Sequence, residues 1–527
     1  MLILNDKYIF TYDIGTSGCK AAIFDTELKL IAQTSENYPI YYPKEGYVEQ
    51  DVKDYWDAVK SCTKKLLQDT DITSKDILGI IYDSQANCTI AIDEKGSPLM
   101  RAINWLDVRA ASITSLYSKG LIKISGYSLR KLLMFLKIAG GPPGLTGKDP
   151  ISHIIWIKIN KPDIYKNTYK FLSVKDYVVF KSTNIATISR DLGHTSWMMD
   201  SNPGMFQWSE KILKKFKIDK QKLPEIKDAT EIAGNLTAKA AIELGFELSP
   251  EHPIPVIVGS ADLISSAIGS GALDENQIHI SLGTADWVAA HSHERLRDIM
   301  NYTGGISSIR GRYLCISKQE TGTVCLDWVI NQLFKYELEK YKENKEKMYQ
   351  ILDEMVQNTP AGSNNLIFTP WMFGERSPLN DPRVRGGFYN ISLEHTRNEV
   401  LRATYEGISY NIRWALQVVE KLVGKSESIN LIGGGAKSNI WCQILADVLQ
   451  RKINQMEDPS LGSAKGSAII ALLGLGIIEH LSEAIPLIKV SKTYKPNPEK
   501  KLIYETLFDE FLKIYKRNKK MFKSLNP

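Results

Sequence analysis

A chain of 527 residues is too long for one compact core and calls for two large domains. Hydrophobic residues at 43% and charged residues at 24% describe an ordinary globular interior and exclude a disordered or low-complexity protein. The net charge of +6, from 66 basic and 60 acidic residues without basic blocks, argues against a nucleic-acid partner and suits a small anionic ligand. Six scattered cysteines, Cys19, Cys62, Cys88, Cys315, Cys325 and Cys442, match neither a zinc site nor a disulfide framework, so a reduced, cytoplasmic setting is expected. The N-terminal segment lacks the layout of a secretory signal, and no stretch reaches the roughly 18 apolar residues of a membrane helix, so a soluble protein without a membrane partner is expected.

In chain order, YIFTYDIG, CKAAIFD and LKLIAQT predict a β-meander, residues 52–68 and 105–117 predict helices, and LGIIYDS at 78–84 predicts a buried strand. Strand and helix in alternation imply an α/β lobe. A second opening follows: PVIVGSADLISSAIGSGAL at 255–273 leads into QIHISLGTADWVAA, which repeats the plan of strand, Gly-Thr turn and strand. Two duplicated lobes are therefore expected, residues 1–256 and 257–475, with a boundary near 255–262. Residues 476–527 form a helical tail, read as a solvated amphipathic helix packed on the second lobe. Trp441, Ile444, Leu445, Val448 and Leu449 recur at helical spacing, as do Leu401, Thr404, Ile408 and Ile412, and mark core faces.

Five segments can carry chemistry. In Asp13-Ile14-Gly15-Thr16-Ser17-Gly18, with Lys20 two residues on, the glycines let backbone approach a phosphate, the hydroxyls and turn N–H groups donate to it, and Asp13 can hold Mg²⁺. Alone, such a segment is more often just a β-turn. Ser281-Leu282-Gly283-Thr284 places a second glycine and hydroxyl across a cleft from the first. Leu431-Ile432-Gly433-Gly434-Gly435-Ala436-Lys437-Ser438-Asn439 runs a strand through three glycines into a helix N-terminus; it is a nucleotide cradle or a tight turn, and it is not a Walker motif. Gly259-Ser260-Ala261-Asp262 sets an acid at a strand end, where Asp262 either takes the proton of an attacking hydroxyl or caps a helix. Asn104-Trp105-Leu106-Asp107-Val108-Arg109 offers an indole, a carboxylate and a guanidinium for a polyol, joined by Ser84 and Gln85; otherwise Trp105 is core and Asp107 with Arg109 a surface pair. His153 and Trp156 are read as packing residues.

Taken together, DIGTSGCKAAIFD, WLDVRA, HIIWIK, GSADL, SLGT, RGGFYNIS at 385–392 and GGGAKSN resemble the FGGY family of carbohydrate kinases from about residue 8 to 475. The resemblance implies a two-lobed, actin-like ATPase (ribonuclease H-like) α/β fold with a central cleft that closes on sugar and ATP and moves the γ-phosphoryl group with Mg²⁺. By position it makes Asp262 the catalytic base, Asp13 the metal or phosphate-side acid, and Thr16 and Thr284 phosphate contacts. Gly434, Gly435 and Asn439 would hold the nucleotide, and Trp105 and Asp107 the sugar. Ser17, Lys20 and Gly283 belong to the same phosphate turns, and Gln85 to the sugar side.

Xylulose kinases of the family tend to read Gln-Met-His-Gly where this chain has Gln85-Ala86-Asn87-Cys88, and Leu263 stands where a polar residue tends to follow the base. The sequence is nearest to xylulose-kinase-like members, so a ketopentose such as xylulose is the expected substrate. Ribulose, erythritol and glycerol remain open, as does a homodimer. An actin-like ATPase without sugar kinase activity is the competing reading, and a degenerate sugar sensor ranks last because both acids are present.

Overall fold

The computed structural model describes residues 6–526; Met1–Asn5 of the N-terminal reading and Pro527 of the tail lie outside them. The first sheet opens with the expected meander, β1 (Tyr8–Ile14), β2 (Gly18–Asp25) and β3 (Leu30–Asn37), all antiparallel. Helix α1 (Val52–Gln68) follows because Val52, Tyr55, Trp56, Val59, Cys62 and Leu66 recur on one face and Asp51 caps it, accepting from the Lys53 N–H at 3.1 Å. The chain returns as β4 (Ile77–Ser84), parallel to β1. Helix α2 (Pro150–Asn160) buries His153 and Trp156. After β5 (Ile232–Asn235), β6 (Pro255–Ile257) completes the order β5-β6-β4-β1-β2-β3.

Helix α3 (Asp262–Gly269) leads to the second sheet. Its strands are β7 (Ile278–Ser281), β8 (Trp287–Ser292), β9 (Arg297–Asp298), β10 (Thr303–Ser307) and β11 (Tyr313–Lys318), followed by β12 (Ser428–Ile432), β13 (Lys452–Met456) and β14 (Val490–Tyr494). They lie in the order β9-β10-β11-β8-β7-β12-β13-β14. The duplication is visible in the pairing. In β3-β2-β1-β4-β6 and in β11-β8-β7-β12-β13, two antiparallel contacts are followed by two parallel ones. The chain changes sheets between Ile257 and Ile278.

The second lobe is built on α4 (Arg397–Val423), α5 (Asn439–Leu449), α6 (Gly462–Gly474) and α7 (Lys501–Leu525). Helix α6 crosses back onto the first lobe, where Ala468, Ile469, Ile470 and Leu472 share a core with Ile9 and Ile81. It meets α3 backbone to backbone. A Cβ on Gly269 would lie 1.8 Å from the Gly462 carbonyl, and one on Gly466 1.7 Å from that of Ser265.

One element differs from expectation. Residues 105–117 form a 3-10 turn at Arg109–Thr114 and a short helix at Ser115–Ser118. Asn104 and Asp107 side chains capture the N–H groups of Leu106 and Arg109, so the backbone of 105–108 turns instead of starting a helix. Helix α7 of the tail is amphipathic and buries Tyr504, Leu507, Phe508, Phe511 and Phe522 in the second core. The Tyr504 hydroxyl donates to Glu406 at 2.9 Å and accepts from Arg402 at 3.1 Å. All six cysteines are buried thiols, and no helix among the described residues is long and apolar enough to cross a membrane.

Candidate active site

Asp13 is the residue before the last of β1, and Gly15 opens the tight turn to β2, donating its N–H to the Gly18 carbonyl at 2.9 Å. Only glycine fits at 18, because a Cβ there would lie 2.6 Å from the Glu36 carbonyl. Ser17 and Lys20 are exposed beside the turn, and Lys20 stands opposite Asp13 in the β1–β2 register. Burial raises the Asp13 pKa, while Lys20 and a hydrogen bond from Asp83 oppose the rise.

Thr16 links this turn to the sugar-side segment. Its hydroxyl donates to Gln85 Oε1 at 3.0 Å and accepts from Trp105 Nε1 at 3.1 Å. Gln50, which no motif marked, organises the group. Its amide donates to the Thr16 carbonyl at 2.8 Å, and its Oε1 accepts from Gln85, Asn104 and Tyr55. The Thr16 hydroxyl is therefore taken up within the lobe.

Asp107 departs from its expected place among the sugar contacts. The side chain is fully buried, and its oxygens accept from the Val48 N–H at 2.6 Å and from the Arg109 backbone and guanidinium at 2.7–3.0 Å. Arg109 also binds Glu49 at 2.8 Å and lies 4.0 Å over the Tyr47 ring. A carboxylate enclosed by a guanidinium and two N–H groups has no lone pair free for a sugar hydroxyl. The structure brings Gln85 and Trp105 together and sets Asp107 behind them as an anchor.

In the second lobe, the turn after β7 and the glycine turn after β12 touch. The Gly435 N–H donates to the Leu282 carbonyl at 3.0 Å, and Gly433, at φ +97°, comes so close to that carbonyl that a Cβ would lie 2.4 Å away. Thr284 and Gly434 are exposed, Gly283 is partly so, and the space beside Gly434 is open. Asn439 opens α5, and its Oδ1 accepts from the Tyr494 hydroxyl at 2.6 Å.

Asp262 is the first residue of α3, with its Oδ1 accepting from the Leu263 N–H at 2.7 Å. Burial lifts its pKa to about 6; Lys318 pulls it down and the charge of Asp13 pushes it up. The two acids are thus near enough for the charge of one to act on the other. Lys318, at the end of β11, lies 5.7 Å from the ring of Trp105 and 5.9 Å from that of Trp287, and it forms no ion pair among the described residues. Burial and the nearby Arg376 lower its pKa. Lys148 and Arg376 both pair with Glu320 beside it, at 3.6 and 3.1 Å.

Sequence reading missed Lys318, Gln50 and Asp83. Asp83 shares the β4 segment already read as a buried strand, and the parallel register sets it beside Asp13. Burial, and then the charge of Asp13, raise its pKa well above the usual carboxylate range. A polar residue ending an apolar strand was the available signal for Asp83; for Lys318 and Gln50 there was none, because only tertiary pairing brings them to the cleft.

The N-terminal domain of the FGGY family of carbohydrate kinases matches residues 8–269, and the C-terminal domain matches residues 278–475. The chain is 29% identical to a xylulose kinase of Staphylococcus epidermidis, over 98% of both chains, and 26% identical to a gluconokinase of Bacillus subtilis, over 96% of this chain and 95% of that one. Crystal structures of a gluconate kinase and of a ligand-bound xylulose kinase from Lactobacillus acidophilus superpose with a TM-score of 0.85 each at 26% identity, covering 98% of this chain and 99% and 100% of theirs. With both domains matched over nearly the whole chain, and two duplicated lobes facing one acidic cleft, this protein belongs to the FGGY family of carbohydrate kinases and is an ATP-dependent carbohydrate kinase.

Proposed function

We propose that this chain transfers the γ-phosphoryl group of ATP to a hydroxyl of a small sugar, with a ketopentose such as xylulose as the first candidate and Asp262 as the proton acceptor. The observation that carries the base assignment is the position of Asp262, on a helix N-terminus within reach of the charges of Asp13 and Lys318, with its pKa near the working range. Trp105 and Gln85 form the sugar wall, and the glycine turns of the second lobe, with Gly283, Thr284, Gly434, Gly435 and Asn439, cradle the nucleotide. Similarity to xylulose kinases supports the ketopentose.

Mg²⁺ takes one or two carboxylates together with phosphate oxygens and water. Asp13, partly exposed near the end of β1, fits that role, and among the described residues no cluster of three ligating side chains offers an all-protein cage. When bound, the ion neutralises charge on the transferring phosphoryl group. Asp13 would hold it, Lys20 and the backbone of the first turn would orient the phosphates, and Asp262 would take the hydroxyl proton.

A sugar acid such as gluconate is a second reading, favoured by Lys318, a cation between two indoles that forms no ion pair among the described residues. Coupled ADP release measured with xylulose, ribulose, gluconate, erythritol and glycerol decides between them. The ketopentose reading expects the highest kcat/KM with a ketopentose; a preference for gluconate selects the second reading. ATP binding without turnover on any acceptor would overturn both.

A further inference from the structure

The cleft floor holds an acid, Asp83, to which phosphoryl transfer gives no role. We propose that Asp83 is a positioning residue that fastens Asp13, the phosphate-side acid of the first lobe, to helix α6 of the second. The proposal rests on the reading that Asp13 serves the Mg·ATP side of the reaction.

The argument begins with register. The parallel pairing of β1 with β4 sets Asp13 beside Asp83, and the Asp83 side chain is fully buried. Each of its oxygens accepts a serine hydroxyl from α6, Oδ1 from Ser463 at 2.8 Å and Oδ2 from Ser467 at 2.6 Å. These contacts join residues 380 and 384 positions apart. Ser467 also bonds Ser265 of α3 at 2.9 Å, and Ser265 bonds Ser260 at 2.8 Å, two residues before Asp262. One line of hydroxyls therefore runs from beside Asp13 across α6 to the start of the helix that bears Asp262.

An apolar residue would pack at a buried strand end without any desolvation cost, and burying a carboxylate is unfavourable unless its hydrogen bonds are met. Here they are met from the other lobe. The backbone contact of α3 with α6 through Gly269, Gly462 and Gly466 leaves no side-chain layer to absorb a shift, so the hydroxyl line has a fixed length. Held in this way, Asp13 keeps its place relative to the second lobe, which carries the nucleotide turns, as positioning from a surrounding shell requires.

The test compares Asp83→Ala, Asp83→Asn and the double variant Ser463→Ala/Ser467→Ala with Asp13→Ala and the parent enzyme. The readouts are Mg·ATP affinity by calorimetry without sugar, kcat, both KM values and Tm. The double serine variant should weaken Mg·ATP binding about tenfold and raise KM for ATP in step, with the sugar KM within about twofold of the parent. Asp83→Asn, which retains an acceptor oxygen, should lie between the parent and Asp83→Ala. Should Asp83→Ala fail to fold, the serine pair still decides, since it removes only two hydroxyls. A fall in Tm with unchanged ATP affinity, while Asp13→Ala binds ATP poorly, overturns the positioning role and leaves the Asp13 reading intact. Normal Mg·ATP affinity in Asp13→Ala overturns both.

Discussion

Asp262, at the start of α3, and Lys318, at the end of β11, show how two residues far apart in sequence set one acidity. Asp262→Asn should keep the fold and ATP binding and lower kcat by about 10²-fold or more, because the amide cannot take the hydroxyl proton; near-parental turnover in the coupled assay would remove Asp262 from that role. The base must be ionised to act, so kcat/KM for the sugar should fall as pH drops through about 6 and level off above it. Lys318→Met removes the charge that favours the ionised form, and a pH–rate profile should show the midpoint displaced to higher pH; an unmoved midpoint would separate the two groups. Asp107→Ala leaves the buried Arg109 with Glu49 alone and should cost about 3–5 kcal/mol in denaturant unfolding, the range for breaking a buried pair. A raised sugar KM at full stability would return Asp107 to the substrate. At this scale Asp13, Thr16, Gln85 and Trp105 were legible because glycine turns and an aromatic box are local patterns. Lys318 and Gln50 were not, because an isolated lysine or glutamine has no spacing to reveal it.

Among the elements, the meander, α1 and β4 were legible in hydrophobic period, and α1 spans the residues its pattern outlines. The 105–117 segment carried enough helix formers to read as one helix, but Asn104 and Asp107 spend their side chains on its first N–H groups, a competition invisible to periodicity. The closeness of α3 to α6 was likewise hidden, since glycines at 269, 462 and 466 look the same in a turn as in a contact. Gly466→Ala tests that contact. Its methyl would meet the Ser265 carbonyl at 1.7 Å, so the helices must part, and Tm should fall by several degrees or more despite the better helix propensity of alanine. A raised Tm would show that the contact yields freely.

For the whole molecule, the repeated pairing pattern was legible as a repeated motif, while the extent of contact between the lobes was not. The lobes are also joined by Lys148 with Glu320, by His194 with Ser307 at 2.9 Å, and by Arg295 with Ser201 at 2.6 Å, which bring together residues up to 172 positions apart. Sugar and Mg·ATP together should reduce the radius of gyration in small-angle scattering more than either alone; an unchanged radius with both bound would mean that the lobes already stand in their working arrangement. The manner in which α7 enters the second core bears on synthesis. The first sheet has all its strands by Ile257 and can pair while the ribosome is still at work, with α6 completing its core later, whereas the core around Glu406 and Arg402 stays open until Tyr504, Phe508 and Phe511 have emerged. The nascent second lobe therefore carries an exposed apolar groove for the roughly hundred residues of translation that separate Glu406 from Tyr504, and chaperone dependence should concentrate in that interval.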